Sequence, residues 1–482
     1  MSVPKSPILT DLYQLTMMQG YRRAGLHRRE VCFDYFFRQH PFGGGYTVFA
    51  GLSEALQFLA GLRFADDDIS YLSTLGMFDN DFLSYLSTMR FHGSVHAMPE
   101  GSIIFPHEPV VRIEGPLDEA QMIETALLNI LNFQTLIATK AARIVEEAGH
   151  DNVLEFGARR AQGIDGALTA SRAAYIGGCY ATSNVEAGKV YGVPVRGTHA
   201  HSWVMAFDTE LEAFRTFAEL YPNNATFLVD TYDTLKSGVP NAVIVGKEMA
   251  VRGQKLVGIR LDSGDFAYLS VEARKMLDAA GLPQVKIVCS GDLDEYIIHD
   301  LKAQGAAIDI YGVGTRLASA HGDPSLTGVY KISAMRDDAG TWNMKHKITE
   351  GMKKATLPGV KQVWRLYDAA NTMMGDVIEL DGVNVRPNAP VTAYHPVVDY
   401  NKKVYTDVAR TEPLLSEVFK DGALTAAQPS INAVRERVRN EMKQLHPTIK
   451  RLMNPHIYKV SLGEKLHAQT RLVRGGSAGA EE

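Results

Sequence analysis

Between Asn152 and Thr315 the chain keeps repeating one pattern: a short apolar run that ends in polar or glycine residues, then a stretch with helical spacing. The runs are NVLEFG, CYATS, VPVRGT, ATFLVDT, LVGIRLDSGD, VKIVCSGD and IDIYGVGT. Alternation of this kind predicts parallel strands covered by helices. Roughly seven or eight such units, with no dinucleotide-binding glycine fingerprint, favour a closed α/β barrel over an open doubly wound sheet. In a barrel the C-terminal strand ends share one face, and that is where the polar residues fall. In order they are Glu155, Phe156 and Gly157 with Arg159, Ser183, Thr198 to His201, Asp230, Arg260 with Asp262, Ser290 with Asp292, and Gly312 to Thr315. One such loop is unremarkable, but so many loops rich in His, Arg, Asp and Gly-Thr predict a catalytic mouth.

The remaining sequence bounds the setting. At 482 residues the chain exceeds one ordinary core, so about two domains are expected. A net charge of −5 and a pI near 6.3 argue against a general nucleic-acid binder. No apolar run approaches the roughly 18–20 residues that span a bilayer, and MSVPKSPILTDLYQ lacks the blocks of a signal peptide. Cys32, Cys179 and Cys289 lie far apart without a C-x-x-C, which favours reduced, buried thiols in a cytoplasmic protein.

Before the repeating region, Thr10 and Asp11 can cap a helix that carries Tyr13 in its first turn. A strand is expected over VCFDYFFR, with Val31, Phe33, Tyr35 and Phe37 on one face. Helical spacing covers Ser53–Leu62 and roughly Asp66–Met89, and short strands lie between Val95 and Glu114. The expected division is an α+β sandwich-like domain over 1–117, a connecting helix over 118–150 and a barrel over 151–335. Segments over 336–474 then return to the first domain, and 475–482 form a disordered tail. Gly340–Leu357 reads as a flexible loop, and Arg435–Lys450 as an amphipathic surface helix.

The strand ends suggest a particular ligand set. Gly312-Val313-Gly314-Thr315 resembles a phosphate nest, in which backbone N–H groups and a hydroxyl converge on an anion. Asp262 and Asp292 are acidic groups beside it, which suit ribose hydroxyls or a magnesium ion. Arg260, two residues before Asp262, can clamp a planar carboxylate in a bidentate fork. Together these features suggest a phosphoribosyl donor meeting an aromatic acid. His199 and His201 share a parity, so their spacing alone does not say which one acts. No G-x-x-x-x-G-K-[ST] string occurs, which excludes a P-loop.

Six strings then make the chain recognisable: TDLYQLTM at Thr10–Met17, EFGARRAQGIDG at Glu155–Gly166, SNVEAGKVYGVPVRGTHAHSWV at Ser183–Val204, RLDSGD at Arg260–Asp265, YGVGT at Tyr311–Thr315 and KQVWRLYD at Lys361–Asp368. In this order and spacing they resemble the nicotinate phosphoribosyltransferase family, one of the type II phosphoribosyltransferases. The resemblance implies an irregular (β/α)8-like barrel with an N-terminal sandwich-like domain completed by C-terminal segments. It implies NAD salvage: phosphoribosyl pyrophosphate and nicotinate give nicotinate mononucleotide and pyrophosphate, with Mg2+ and coupled ATP hydrolysis through a phosphohistidine. Gly-Thr followed by Ala-His-Ser selects His201 for that role, with Asp230 as its carboxylate partner. Arg260 would hold the nicotinate carboxylate with Thr198. Phe156 would stack on the ring, and so would Tyr13, from the neighbouring subunit of a homodimer. Ser183 suits a carboxylate on the ring, since the nicotinamide-specific relatives place an aspartate there. Arg159, Ser290, Gly291, Gly312, Gly314 and Thr315 would meet the phosphoribosyl group, and Asp262 and Asp292 ribose or magnesium. The competing readings are a nicotinamide phosphoribosyltransferase and a non-catalytic nicotinate or nucleotide sensor.

Overall fold

The computed structural model describes residues 6–346, 356–396 and 401–477. The chain forms two compact units, Met1–Leu136 with Ser325–Glu482, and Ile137–Pro324.

The first unit holds two larger sheets. In one, Glu30–Phe37 lies between Gly328–Arg336 and Val111–Pro116, all antiparallel, and Ser94–Ala97 and Ser416–Lys420 extend the same sheet. Because Glu30–Phe37 is central, every residue from Val31 to Phe37 is buried, not only the expected face. The strand Gly328–Arg336 belongs here by pairing, so the barrel does not run to 335 as expected; the second unit ends at Pro324. The other sheet orders Lys402–Tyr405, Val391–Tyr394, Val460–Leu462, Met373–Leu380, Lys361–Tyr367 and Arg410–Pro413.

The helical stretch after Ala65 divides into Asp66–Thr74 and Asn80–Thr88. Gly76 turns the chain at φ +64°, and Asp79 caps the second helix by accepting from Phe82 N–H at 2.8 Å. The expected single helix over 118–150 is two, Leu117–Met122 and Glu124–Ala148. Helix Ile431–Gln444 covers most of the expected amphipathic stretch, and buries Val434, Val438 and Met442. The last helix runs through Ser477, so the expected tail begins in helix, and 478–482 lie outside the described residues. Of the expected loop Gly340–Leu357, Trp342–Met344 is instead a strand paired antiparallel with Gly328–Arg336, and residues 347–355 lie outside the described residues.

In the second unit six parallel strands follow the order Ala181–Thr182, Val153–Glu155, Ile310–Val313, Lys286–Gly291, Gly258–Leu261, Thr226–Leu228. The first strand of the unit pairs with its last, which curls the sheet toward closure. A seventh segment joins only through the parallel bridge Thr182–Val195. Among the described residues no ladder links that segment to Thr226–Leu228, so the expected closed eight-unit barrel is a ring of fewer strands with one open seam. VPVRGT makes no full strand because Pro194 has no N–H to donate and Gly197 leaves the backbone loose.

Packing behind the open wall is dense. Phe214 and Phe227 stack at 4.7 Å, and Val229, Val245, Ile259, Leu261 and Ile287 are fully buried around them. Each such side chain contributes about 1.5–3 kcal/mol of burial. Helix Glu124–Ala148 meets helix Gly163–Ile176 where only glycine fits, since a Cβ on Gly177 would stand 2.3 Å from the Ala138 carbonyl oxygen. All three cysteines are free and buried, and burial pushes the Cys289 thiol well up. Among the described residues no helix is long and apolar enough to cross a membrane.

Candidate active site

Register sets the site. Glu155 lies level with Thr182 and Val313, and Arg260 level with Leu228 and Val288. Chain segments that follow these strands therefore meet at one end of the ring. Glu155 anchors this rim from inside: its buried carboxylate accepts from the Ser171 hydroxyl at 2.9 Å, the Thr182 hydroxyl and the Gly157 N–H. A buried carboxylate with three donors is a stable pivot. It fixes the turn that carries Phe156, and the ring of Phe156 lies against Gly312, where a Cβ would approach within 2.6 Å.

Arg260 is the centre of the mouth. Its Nε donates to Ser290 Oγ at 2.7 Å, one terminal nitrogen to Thr198 Oγ1 at 3.0 Å, and the other to Asp262 Oδ1 at 2.7 Å. Ser290 donates its own proton to the same Asp262 oxygen. Burial works to raise the Asp262 pKa, but the Ser290 hydroxyl and the Arg260 guanidinium outweigh it and hold the carboxyl below its usual range. A guanidinium has five N–H groups. Three are committed, and one remains on each terminal nitrogen, the pair that a planar carboxylate would take. The guanidinium carbon also stands 5.6 Å from the centre of the Phe156 ring.

The two histidines separate cleanly. His199 is buried among Phe214, Phe217 and Trp203, and its Nε2 accepts from Leu228 N–H at 3.3 Å across the open seam. Burial lowers its pKa to about 4, so the ring is neutral at pH 7. His201 is instead the first residue of helix His201–Met205, with 40 % of its side chain exposed, and its Nε2 meets Asp230 Oδ1 at 3.2 Å. The other oxygen of Asp230 accepts from Asp262 N–H at 2.9 Å and the Ser263 hydroxyl at 2.7 Å. A continuous path thus runs from His201 through Asp230 and Asp262 to Arg260.

Other expected residues stand apart from this path. Gly314 precedes the one-turn helix Thr315–Ala318, and Thr315 makes no side-chain hydrogen bond among the described residues. Gly291 (φ +132°) carries the chain past the Asp262 carbonyl oxygen, where a Cβ would stand at 3.1 Å. Asp292 and Ser183 are exposed on loops, and Arg159 is exposed in the single helical turn Ala158–Arg160. Among the described residues no three His, Cys, Asp or Glu side chains cluster to hold a metal ion. The residues that could touch a substrate-borne magnesium are Asp262, through its second oxygen, and Asp292. Tyr13 lies in the first unit, half exposed in the first turn of helix Leu12–Arg23. Sequence reasoning missed the anchoring roles of Glu155, Thr182 and Ser263. The RLDSGD string was the available signal for Ser263, and an acidic residue ending an apolar strand was the signal for Glu155.

Known proteins carry the same arrangement of segments. The model of the nicotinate phosphoribosyltransferase family matches residues 152–358, flanked by the models of its N-terminal domain over 8–132 and its C-terminal domain over 360–470. The nicotinate phosphoribosyltransferase of Bacillus subtilis (strain 168) is 46% identical over 456 residues, covering 94% of this chain and 92% of that protein. Among solved structures, human nicotinic acid phosphoribosyltransferase superposes with a TM-score of 0.84 at 32% identity, over 96% of this chain and 99% of that one. A nicotinate-nucleotide pyrophosphorylase from Pyrococcus furiosus gives 0.70 at 25% identity, over 91% and 95%. With more than nine-tenths of its length spanned by matches of this kind, the chain belongs to the nicotinate phosphoribosyltransferase family.

Proposed function

We propose that this chain joins nicotinate to the ribose of phosphoribosyl pyrophosphate, releasing pyrophosphate and nicotinate mononucleotide for NAD salvage. The observation that carries the reading is the Arg260 clamp: a guanidinium fixed on three sides, with two donors left and an aromatic face beside it. Such a clamp suits the carboxylate of nicotinate, while Phe156 supports its ring. Ser183 adds no negative charge that would favour the amide. The pyridine nitrogen attacks C1 of the ribose as the C1–O bond to pyrophosphate breaks. Holding both partners in line is the chief contribution of the loops. Thr315, Gly312, Gly314, Ser290, Gly291 and Arg159 would receive the phosphates. Magnesium would arrive on the donor and offset its charge, with Asp262 and Asp292 facing it.

His201 is the residue we assign to ATP coupling. Asp230 holds its Nε2, which leaves Nδ1 as the open nitrogen for a phosphoryl group. A homodimer in which Tyr13 of one copy completes the site of the other fits the exposure of that ring. Free, buried thiols fit a cytoplasmic location.

The test is ATP consumption by the purified chain with nicotinate plus phosphoribosyl pyrophosphate, and with nicotinamide in place of nicotinate. The expected result is turnover with nicotinate alone, lost in His201→Ala while the melting temperature is kept. Nicotinate-dependent ATP turnover that survives His201→Ala would remove that histidine from the scheme. Equal turnover with nicotinamide would remove the clamp argument.

A further inference from the structure

The six-stranded sheet of the first unit borders a cavity of about 750 Å³ that none of the candidate site residues lines. That volume falls within the roughly 300–1,000 Å³ of small-molecule sites. Its charge is one-sided. The described lining carries the ammonium groups of Lys403 and Lys459 and no carboxylate. Of its four imidazoles, His40, His107, His395 and His456, burial pushes the pKa of His40 down to about 3 and lowers that of His107, so these two serve as neutral donors or acceptors. Lys403 stands on the edge strand Lys402–Tyr405 opposite Ala393, and Lys459 directly precedes the strand Val460–Leu462 on the other side of Val391–Tyr394. Partial burial and then the Lys459 charge lower the Lys403 pKa, and the Lys403 ammonium stands 4.1 Å from the centre of the Tyr405 ring. Two like charges beside one cavity favour an anion between them.

The rest of the wall is rigid and flat. Tyr458 stacks on Phe105 at 3.7 Å and donates its hydroxyl to Asp376 at 2.7 Å, so its ring cannot swing away. Pro106 and Pro455 stiffen the neighbouring loops. His107 lies in the left-handed region at φ +72°, held by its N–H on the Phe37 carbonyl at 2.8 Å.

We propose that this cavity binds a phosphate monoester carried on a planar heterocycle, a ligand with the size and charge of a nucleoside monophosphate, with Lys403 and Lys459 on the phosphate. The test is isothermal titration of the full chain with AMP, adenosine and ribose 5-phosphate, in the wild type and in the Lys403→Met/Lys459→Met double variant. AMP is expected to bind tighter than adenosine and than ribose 5-phosphate, and to weaken roughly tenfold for each lysine removed. Because the lysines repel each other, the double variant is expected to melt no lower than the wild type. The single Lys403→Met variant gives the same reading at half the perturbation. Equal AMP affinity in wild type and double variant overturns the proposal, because any bound AMP then sits elsewhere. So does an adenosine affinity equal to that of AMP, or the absence of an AMP isotherm at millimolar ligand.

Discussion

Replacing Asp230 by asparagine is a sharp test of the assigned chemistry, because the change is isosteric and its consequence can be followed atom by atom. Asp230 Oδ2 takes two donors, Asp262 N–H and the Ser263 hydroxyl, while Oδ1 takes the N–H at His201 Nε2. In Asp230→Asn the two donors keep the amide oxygen where Oδ2 was. The amide NH2 then faces His201 Nε2, which must become an acceptor. The imidazole proton moves to Nδ1, and the nitrogen assigned to the phosphoryl group loses its lone pair. Losing the charge-assisted hydrogen bond costs about 1.5–3 kcal/mol, or roughly 10- to 150-fold. The wrong tautomer adds to that, toward about 10⁴-fold where a carboxylate orients a catalytic imidazole. The assay is nicotinate-dependent ATP turnover beside the uncoupled formation of nicotinate mononucleotide. Coupled turnover is expected to fall at least a hundredfold, with the melting temperature nearly unchanged and the uncoupled reaction less affected. Coupled turnover within about threefold of wild type would refute the tautomer argument, since a lone pair lost from the accepting nitrogen cannot cost so little.

Arg260→Lys keeps the charge but loses the fork, and is expected to raise the KM for nicotinate about a hundredfold in steady-state assays. Gly312→Ala places a Cβ within 2.6 Å of the Phe156 ring and should raise the same KM without a matching loss of stability; an unchanged KM would take Phe156 out of the ring site. His199 gives a pH dependence. Its folded pKa of about 4 lies below the ordinary 6.5, so the unfolded chain takes up the proton first. The stability this residue contributes is complete above pH 6.5 and falls away as the pH drops toward 4. The contribution lost between pH 7 and 5 is about 2 kcal/mol. His199→Gln removes that term, so its melting temperature should fall less than that of the wild type over the same range. Parallel falls would contradict the buried, neutral assignment.

The strand ends were legible in the sequence because parallel strands force them together: Phe156, Thr198, Arg260 with Asp262, and Ser290 come from separate stretches of chain and lie in the last residues of strands or just after them, at one end of the ring. The two histidines were not legible, since the parity argument assumed a strand. The chain is irregular at His199 and helical from His201, so the rings take opposite fates, one under Phe217 and one toward Asp230. The open seam was hidden for a related reason. VPVRGT has the composition of a strand end, but Pro194 and Gly197 deny it a ladder. Ser263 looked like a turn residue, because its partner Asp230 is 33 positions away.

One imidazole spans the gap where the ring lacks strand pairing, so that wall can breathe without unzipping its neighbours. The Leu228 amide, bound to a side chain instead of a carbonyl, should exchange with deuterium earlier than the amide of Ile259, which lies in a strand laddered on both sides. Solvent would first enter the ring beside the loop that carries His201.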